Sequence, residues 1–351
     1  MRSTYKEDDV TILLKDITGL VEPMATRERE ALIQSGVHYS EMLPLEYKPT
    51  EKYMKAYDEA LKNYSEITAG AVASVAEKIY RKKGKDAVLV SLARAGTSIG
   101  VLIRRYLKGK YNIDVHHYTI SIIRGRGIDR NAMKYILDRH SPEALQFVDG
   151  WIGKGAIQRT LNEALAEFDG VDNSLAVLSD PAYIDSVYGT RDDFLIASSC
   201  LNSTVSGLMS RTFLRTDIIG ENDFHGAMFY GELIDEDRTY EFINSVEKHF
   251  PKFYNCNPVD EISEKGSGMK EVCEIAEKFG ISDINLIKPG IGETTRVLLR
   301  RVPWKILVSS LDDPEYLGHI YQLAEEKGVP VEVYPLKCYR ACGIIKNLAD
   351  N

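Results

Sequence analysis

Short, mostly apolar runs alternate with stretches of helical period through much of this chain. Ala87–Leu92 is a run of the kind that forms a strand buried on both faces, and the glycine soon after it turns the chain into TSIGVLIRRYL, a helix by its spacing. The unit repeats. VHHYTISII, ALQFVDG and SLAVLSDPA read as further strands, DDFLIASS as a fifth, with NAMKYILDRH and KGAIQRTLNEALAEF as helices between them. Such alternation predicts an α/β domain, with helices on both faces of a mostly parallel sheet. Ligands of such sheets bind at the carboxyl ends of the strands.

Around this core the pattern predicts four regions. Residues 1–55 form an extension containing the strand-like VTILLKDITG. The core domain spans 56–214, led by a helix with Met54, Tyr57, Leu61 and Tyr64 along one stripe. Residues 215–274 show no clear period and read as an elaboration or linker, with a junction near Gly266–Gly268. The alternation restarts over 275–351 as a small α/β domain, in which WKILVSSL and VPVEVYPL are strands and ACGIIKNLA a terminal helix.

The composition is that of a folded protein with no need of a metal or disulfide staple: 351 residues, 44% hydrophobic, with a net charge of −8. No apolar run reaches membrane length and the charged N-terminus lacks a secretory h-region, so a cytoplasmic protein without a membrane partner is expected. Five cysteines at irregular spacing (Cys200, Cys256, Cys273, Cys338 and Cys342) argue against a disulfide framework or a structural zinc.

Two strand ends carry chemistry. Arg94-Ala95-Gly96-Thr97 combines a guanidinium, small residues and a helix N-terminus, which suits pyrophosphate or serves as a plain turn. Asp149 closes the third strand before Gly153-Lys154-Gly155-Ala156-Ile157, a loop able to cradle a phosphate, with Asp149 left for ribose hydroxyls or Mg²⁺. Neither loop is a Walker A or a GxGxxG motif. Arg124 and Arg126 lie in a third loop, which either closes over a polyanion or faces solvent.

These loops resemble the pyrophosphate and phosphate loops of type I phosphoribosyltransferases. Together with EDDVTILLKDI, residues 7–250 resemble the phosphoribosyltransferase-like StiP family, found with bacterial tellurite-resistance (Ter) stress genes and also labelled cysteine protease. The resemblance implies a type I phosphoribosyltransferase-like sheet that binds phosphoribosyl pyrophosphate with Mg²⁺ and transfers its sugar to an unknown acceptor. Asp149 stands without a second acid, and the loop lacks hydroxyls, which weakens turnover more than binding.

Two alternatives stand beside this reading. One is a cysteine peptidase using Cys200, at a strand-to-helix turn, with His225, His140, His116 or His117 as base and Asp180 or Asp223 orienting it. The other is a nucleotide sensor without turnover. Over 275–351 the chain resembles the L7Ae/Pelota RNA-binding domain. That implies a structured RNA partner facing Gly290, Glu293 and Arg296, with Arg300 and Arg301 further along the helix and Asp312, Asp313 and Pro314 in a nearby loop. Partners are thus a phosphorylated sugar and RNA, and a homo-oligomer stays open.

Overall fold

The computed structural model describes residues 1–185, 187–258 and 267–346. Six strands form one sheet: β1 (Thr11–Ile12), β2 (Val88–Leu92), β3 (His116–Ile120), β4 (Leu145–Val148), β5 (Leu175–Ser179) and β6 (Val187–Thr190). Their spatial order is β1-β3-β2-β4-β5-β6, and every pairing is parallel. The chain moves to one side of β2 with β3 and to the other with β4. A crevice therefore opens where the β2 and β4 ends diverge.

β2, β4 and β5 are buried along their whole lengths, as expected for strands covered on both faces. One face carries α2 (Glu51–Lys83) and α3 (Ala95–Tyr111), while α4 (Arg130–Leu137) and α5 (Ala156–Leu165) contribute to the apolar cluster on the other. A short helix, α1 (Thr26–Gln34), precedes them. The 33-residue α2 keeps Tyr57, Tyr64 and Val72 inward and ends at Gly84, whose φ of 68° no other residue type adopts easily.

Residues 215–258 fold back on this domain. Gly226–Ala227 pairs with Lys15–Asp16, and α6 (Thr239–Glu247) buries Phe242, Ile243 and Val246 in the cluster that also holds α2 and α3. Asp9 of the extension binds Arg105 at 2.7 Å and Tyr240 at 2.7 Å, tying both additions to α3.

The C-terminal domain has α7 (Ser267–Phe279), β7 (Ile287–Pro289), α8 (Ile291–Arg300), β8 (Pro303–Val308), α9 (Pro314–Lys327), β9 (Val331–Val333) and β10 (Ala341–Ile345), in sheet order β7-β10-β8-β9. Two sequence expectations change. DDFLIASS is not a strand: its apolar residues pack as loop and 3₁₀ turn against the cluster that holds α2, and Val187–Thr190 takes the sheet position. ACGII is not helical but a strand between β7 and β8, where burial of Ala341 to Ile344 erased any alternation. Lys346 follows as loop, its N–H bonded to the Val302 carbonyl at 2.9 Å, while residues 347–349 of that expected helix, and Gly266 at the expected junction, lie outside the described residues.

His117 shows how closely the core is satisfied. Its ring contacts Ser91 Oγ and the Asp9 carbonyl oxygen, each at 2.8 Å, and burial pushes its pKa down to about 4. The unfolded chain then binds the extra proton between pH 6.5 and 4, so stability falls as pH drops through that window. Urea unfolding across pH should show wild type losing about 3 kcal/mol more than His117→Gln; parallel profiles would refute the assignment.

Candidate functional site

The crevice beyond β2 and β4 is a cavity of about 240 Å³, and both domains line it. The first domain contributes Ala95, Arg124, Asp149, Trp151 and the loop from Gly153 to Ile157; the C-terminal domain contributes Lys288, Glu293 and Arg296. The C-terminal domain also holds the glycine loop in place. Lys154 Nζ donates to the carbonyls of Ile284 (2.7 Å) and Ile287 (3.1 Å), and the Tyr339 hydroxyl donates to the Gly153 carbonyl at 2.7 Å.

Burial moves two groups here toward neutrality. Asp149 rises to about 6, although its carboxylate accepts the Gly150 N–H at 2.8 Å. Lys154 falls to about 8, with the neighbouring Lys288 adding to the shift. The Arg296 guanidinium lies 4.9 Å from the Trp151 ring and bonds Glu293 at 3.3 Å. Among the described residues no group of three or more His, Cys, Asp or Glu side chains could hold a metal.

Other expected residues lie elsewhere. Arg94 turns to the Met209 carbonyl (2.9 Å) and to Glu46, lining a small neighbouring hollow. Gly96 packs on the end of β4 and Thr97 bonds Thr119, so neither faces the cavity. Arg126 pairs with Glu41 on a separate groove.

Arg296 and Arg300 are half-buried and bonded to the first domain. Arg296 Nε donates to the Ser199 carbonyl at 3.1 Å and Arg300 to the Cys200 carbonyl at 3.0 Å. Gly290, at φ 93°, sits against Asp193, whose carboxylate accepts the Ile291 and Arg340 N–H groups at 2.9 Å each. Arg301 is exposed. Asp313 caps α9 and Asp312 is exposed.

The Cys200 thiol is wholly buried, and its pKa is pushed up to about 12 by burial, against the pull of Arg300 and Arg296. Among the described residues no hydrogen bond joins a cysteine to a histidine. His225 bonds Ser121 and His140 bonds Tyr118, each at 2.8–2.9 Å. His116 lies beside His140 with the rings tilted at 51°. Asp180 is taken by Arg191 and Asp223 by Lys15. Trp151 and Asp193 had no assigned role in the sequence, because their partners come from the other domain, and Lys288 reaches the crevice only through the fold.

A family profile described as "Tellurite-like stress resistance cysteine protease StiP" matches residues 3–247, and one described as "PELOTA RNA binding domain" matches 266–347. The chain is also 36% identical over 369 residues to "Cysteine protease StiP" of Acinetobacter baylyi, covering 98% of this chain and 94% of that one. No solved structure matches. These findings overturn phosphoribosyl transfer as the expected activity, since family and relative alike are described as cysteine proteases. No helix among the described residues is long and apolar enough to cross a membrane.

Proposed function

On the premise that this chain belongs to the StiP family, we propose that it is a cysteine peptidase with Cys200 as nucleophile and the interdomain crevice as its peptide site. One observation carries the choice of cysteine. Cys200 stands in the turn whose carbonyls are bonded by Arg300 and, through Ser199, by Arg296, a lining residue of the crevice. The described conformation is the resting one: a thiol with a pKa near 12 holds almost no thiolate at neutral pH.

Exposure of the turn beside two guanidiniums would remove the burial that raises the thiol and leave the charges that lower it. Asp149 and Lys154, both shifted toward neutrality, are the crevice groups suited to move protons to and from a departing amine. Arg124, Lys154, Lys288 and Arg296 outnumber Asp149 and Glu293 along the lining, which favours acidic peptides.

Cleavage of an acidic peptide library, read by mass spectrometry, tests this. Cys200→Ala should reduce turnover by a factor on the order of 10³ or more while its melting curve shows a folded protein. Alkylation of wild type should reach the exposed Cys273 first and the buried Cys200 slowly, and cleavage should be lost in step with modification of Cys200. Turnover unchanged in Cys200→Ala would reject the nucleophile.

A further inference from the structure

On the side of the C-terminal domain turned to the first domain, Arg296 and Arg300 bond its carbonyls, Lys288 lines the crevice, and the Arg340 guanidinium lies between Asp313 of its own domain and Asp192, 3.9 Å away. Elsewhere on it, Lys305 pairs with Glu332 at 2.6 Å and Lys278 lies over the Tyr334 ring. A domain matched by an RNA-binding profile would meet a phosphate backbone with its cationic face. Here the α8 part of that face, Arg296 and Arg300, is already bonded to the first domain.

The groups that meet α8 are one carboxylate followed by a row of neutral oxygens. The Asp193 carboxylate sits at the first turn of α8, accepting the Ile291 N–H at 2.9 Å, where a helix receives an anion. It also accepts the Arg340 N–H at 2.9 Å. The two guanidiniums that follow on α8 meet oxygens in succession: Arg296 the Ser199 carbonyl, Arg300 the Cys200 carbonyl and the Asn202 side chain. The buried Arg300 Nε has no partner, a donor that these neutral oxygens leave unused.

We propose that Asp193 and the 199–202 turn are a built-in substitute for an RNA backbone, so that RNA and the first domain compete for one face of α8. RNA that wins this face displaces the turn bearing Cys200. Only that consequence rests on the peptidase reading; the competition itself does not. The closed arrangement is reinforced by the Tyr53 hydroxyl donating to the Leu299 carbonyl at 2.8 Å and by the Lys154 contacts. RNA affinity of the intact chain is therefore lowered by the fraction of molecules that stay closed.

The interface offers its own test. A Cβ built at Gly292 falls 3.6 Å from the Ser199 Cβ, within the span of a disulfide. The double variant Ser199→Cys/Gly292→Cys should therefore lock the two domains when oxidised. Binding of a fluorescent RNA hairpin is followed by anisotropy at fixed salt, with the crosslink mapped by mass spectrometry and wild type oxidised in parallel. The oxidised variant should bind at least about tenfold more weakly than its reduced form, and Asp193→Ala about tenfold more tightly than wild type. In wild type, RNA should also speed alkylation of Cys200. Equal binding by locked and reduced protein overturns the competition, as does failure of every form, Asp193→Ala included, to bind the hairpin. Competition without faster alkylation overturns only the link to the thiol.

Discussion

Arg191→Ala should lower stability by about 3–5 kcal/mol, because it strips the counter-charge from a carboxylate with no exposure to solvent. Asp180, at the end of β5, is paired with Arg191 and accepts the Ile184 and Asp185 N–H groups at 2.8 and 2.7 Å. Its other oxygen has no partner to take up the loss. The same guanidinium donates to the Asp185 carbonyl at 2.9 Å and lies 3.5 Å from the Tyr188 ring, so stacking is lost with the charge. Burial raises the Asp180 pKa even with Arg191 present; removing the arginine raises it further. The variant's deficit should therefore be larger at pH 8 than at pH 5, where the carboxyl takes up a proton. Arg191→Lys should recover only part of the loss, since an ammonium cannot both pair with the carboxylate and lie flat on the ring. Denaturant unfolding at the two pH values gives the result directly, and a deficit below about 1 kcal/mol at pH 8 would refute the account.

Gly96→Ala should be comparably damaging for a steric reason. An added Cβ would lie 2.4 Å from the Val148 carbonyl oxygen and 3.1 Å from the Asp149 Cα, both main-chain atoms that no rotamer change can move. The start of α3 would have to separate from the end of β4, at a cost of about 1–3 kcal/mol or more. Because Asp149 and Trp151 follow at once on β4 and line the crevice, the same shift should abolish crevice-dependent cleavage. The urea midpoint and peptide turnover should both fall; a midpoint within error of wild type would show that the helix start yields more readily than this packing implies. Gly96 thus acts by letting two backbones touch, not by touching a ligand.

What the sequence made visible follows from the range of each interaction. Strands β2, β4 and β5 are mostly apolar runs bounded by turns, so local pattern sufficed, and it also placed the Gly153–Ala156 loop at a strand end. The failures lie where distant partners decide. Phe194 and Ile196 carry the apolar character of a strand, yet packing in the cluster shared with α2 and α8 makes their segment a loop. Cys342 and Ile344 are buried in a central strand, which leaves no period to separate strand from helix. Arg296 and Arg300 read as an exposed basic stripe because their acceptors lie about 100 residues away. For Cys200, the strand expected before it is a loop and a 3₁₀ turn, and the expected exposure is absent, since the C-terminal domain that helps cover it is remote in the chain.

The long helix α2 has a consequence for how the chain is made. Its first half emerges early, but the Leu299 carbonyl that receives the Tyr53 hydroxyl is 246 residues further on, and the Glu315 carbonyl that receives Tyr64 is 251 residues further on. At ribosomal rates of about 5–20 residues per second, this tyrosine-bearing surface waits roughly 12–50 s for its cover. Through that interval the nascent protein carries an apolar stripe that only a chaperone or the ribosome surface can shield.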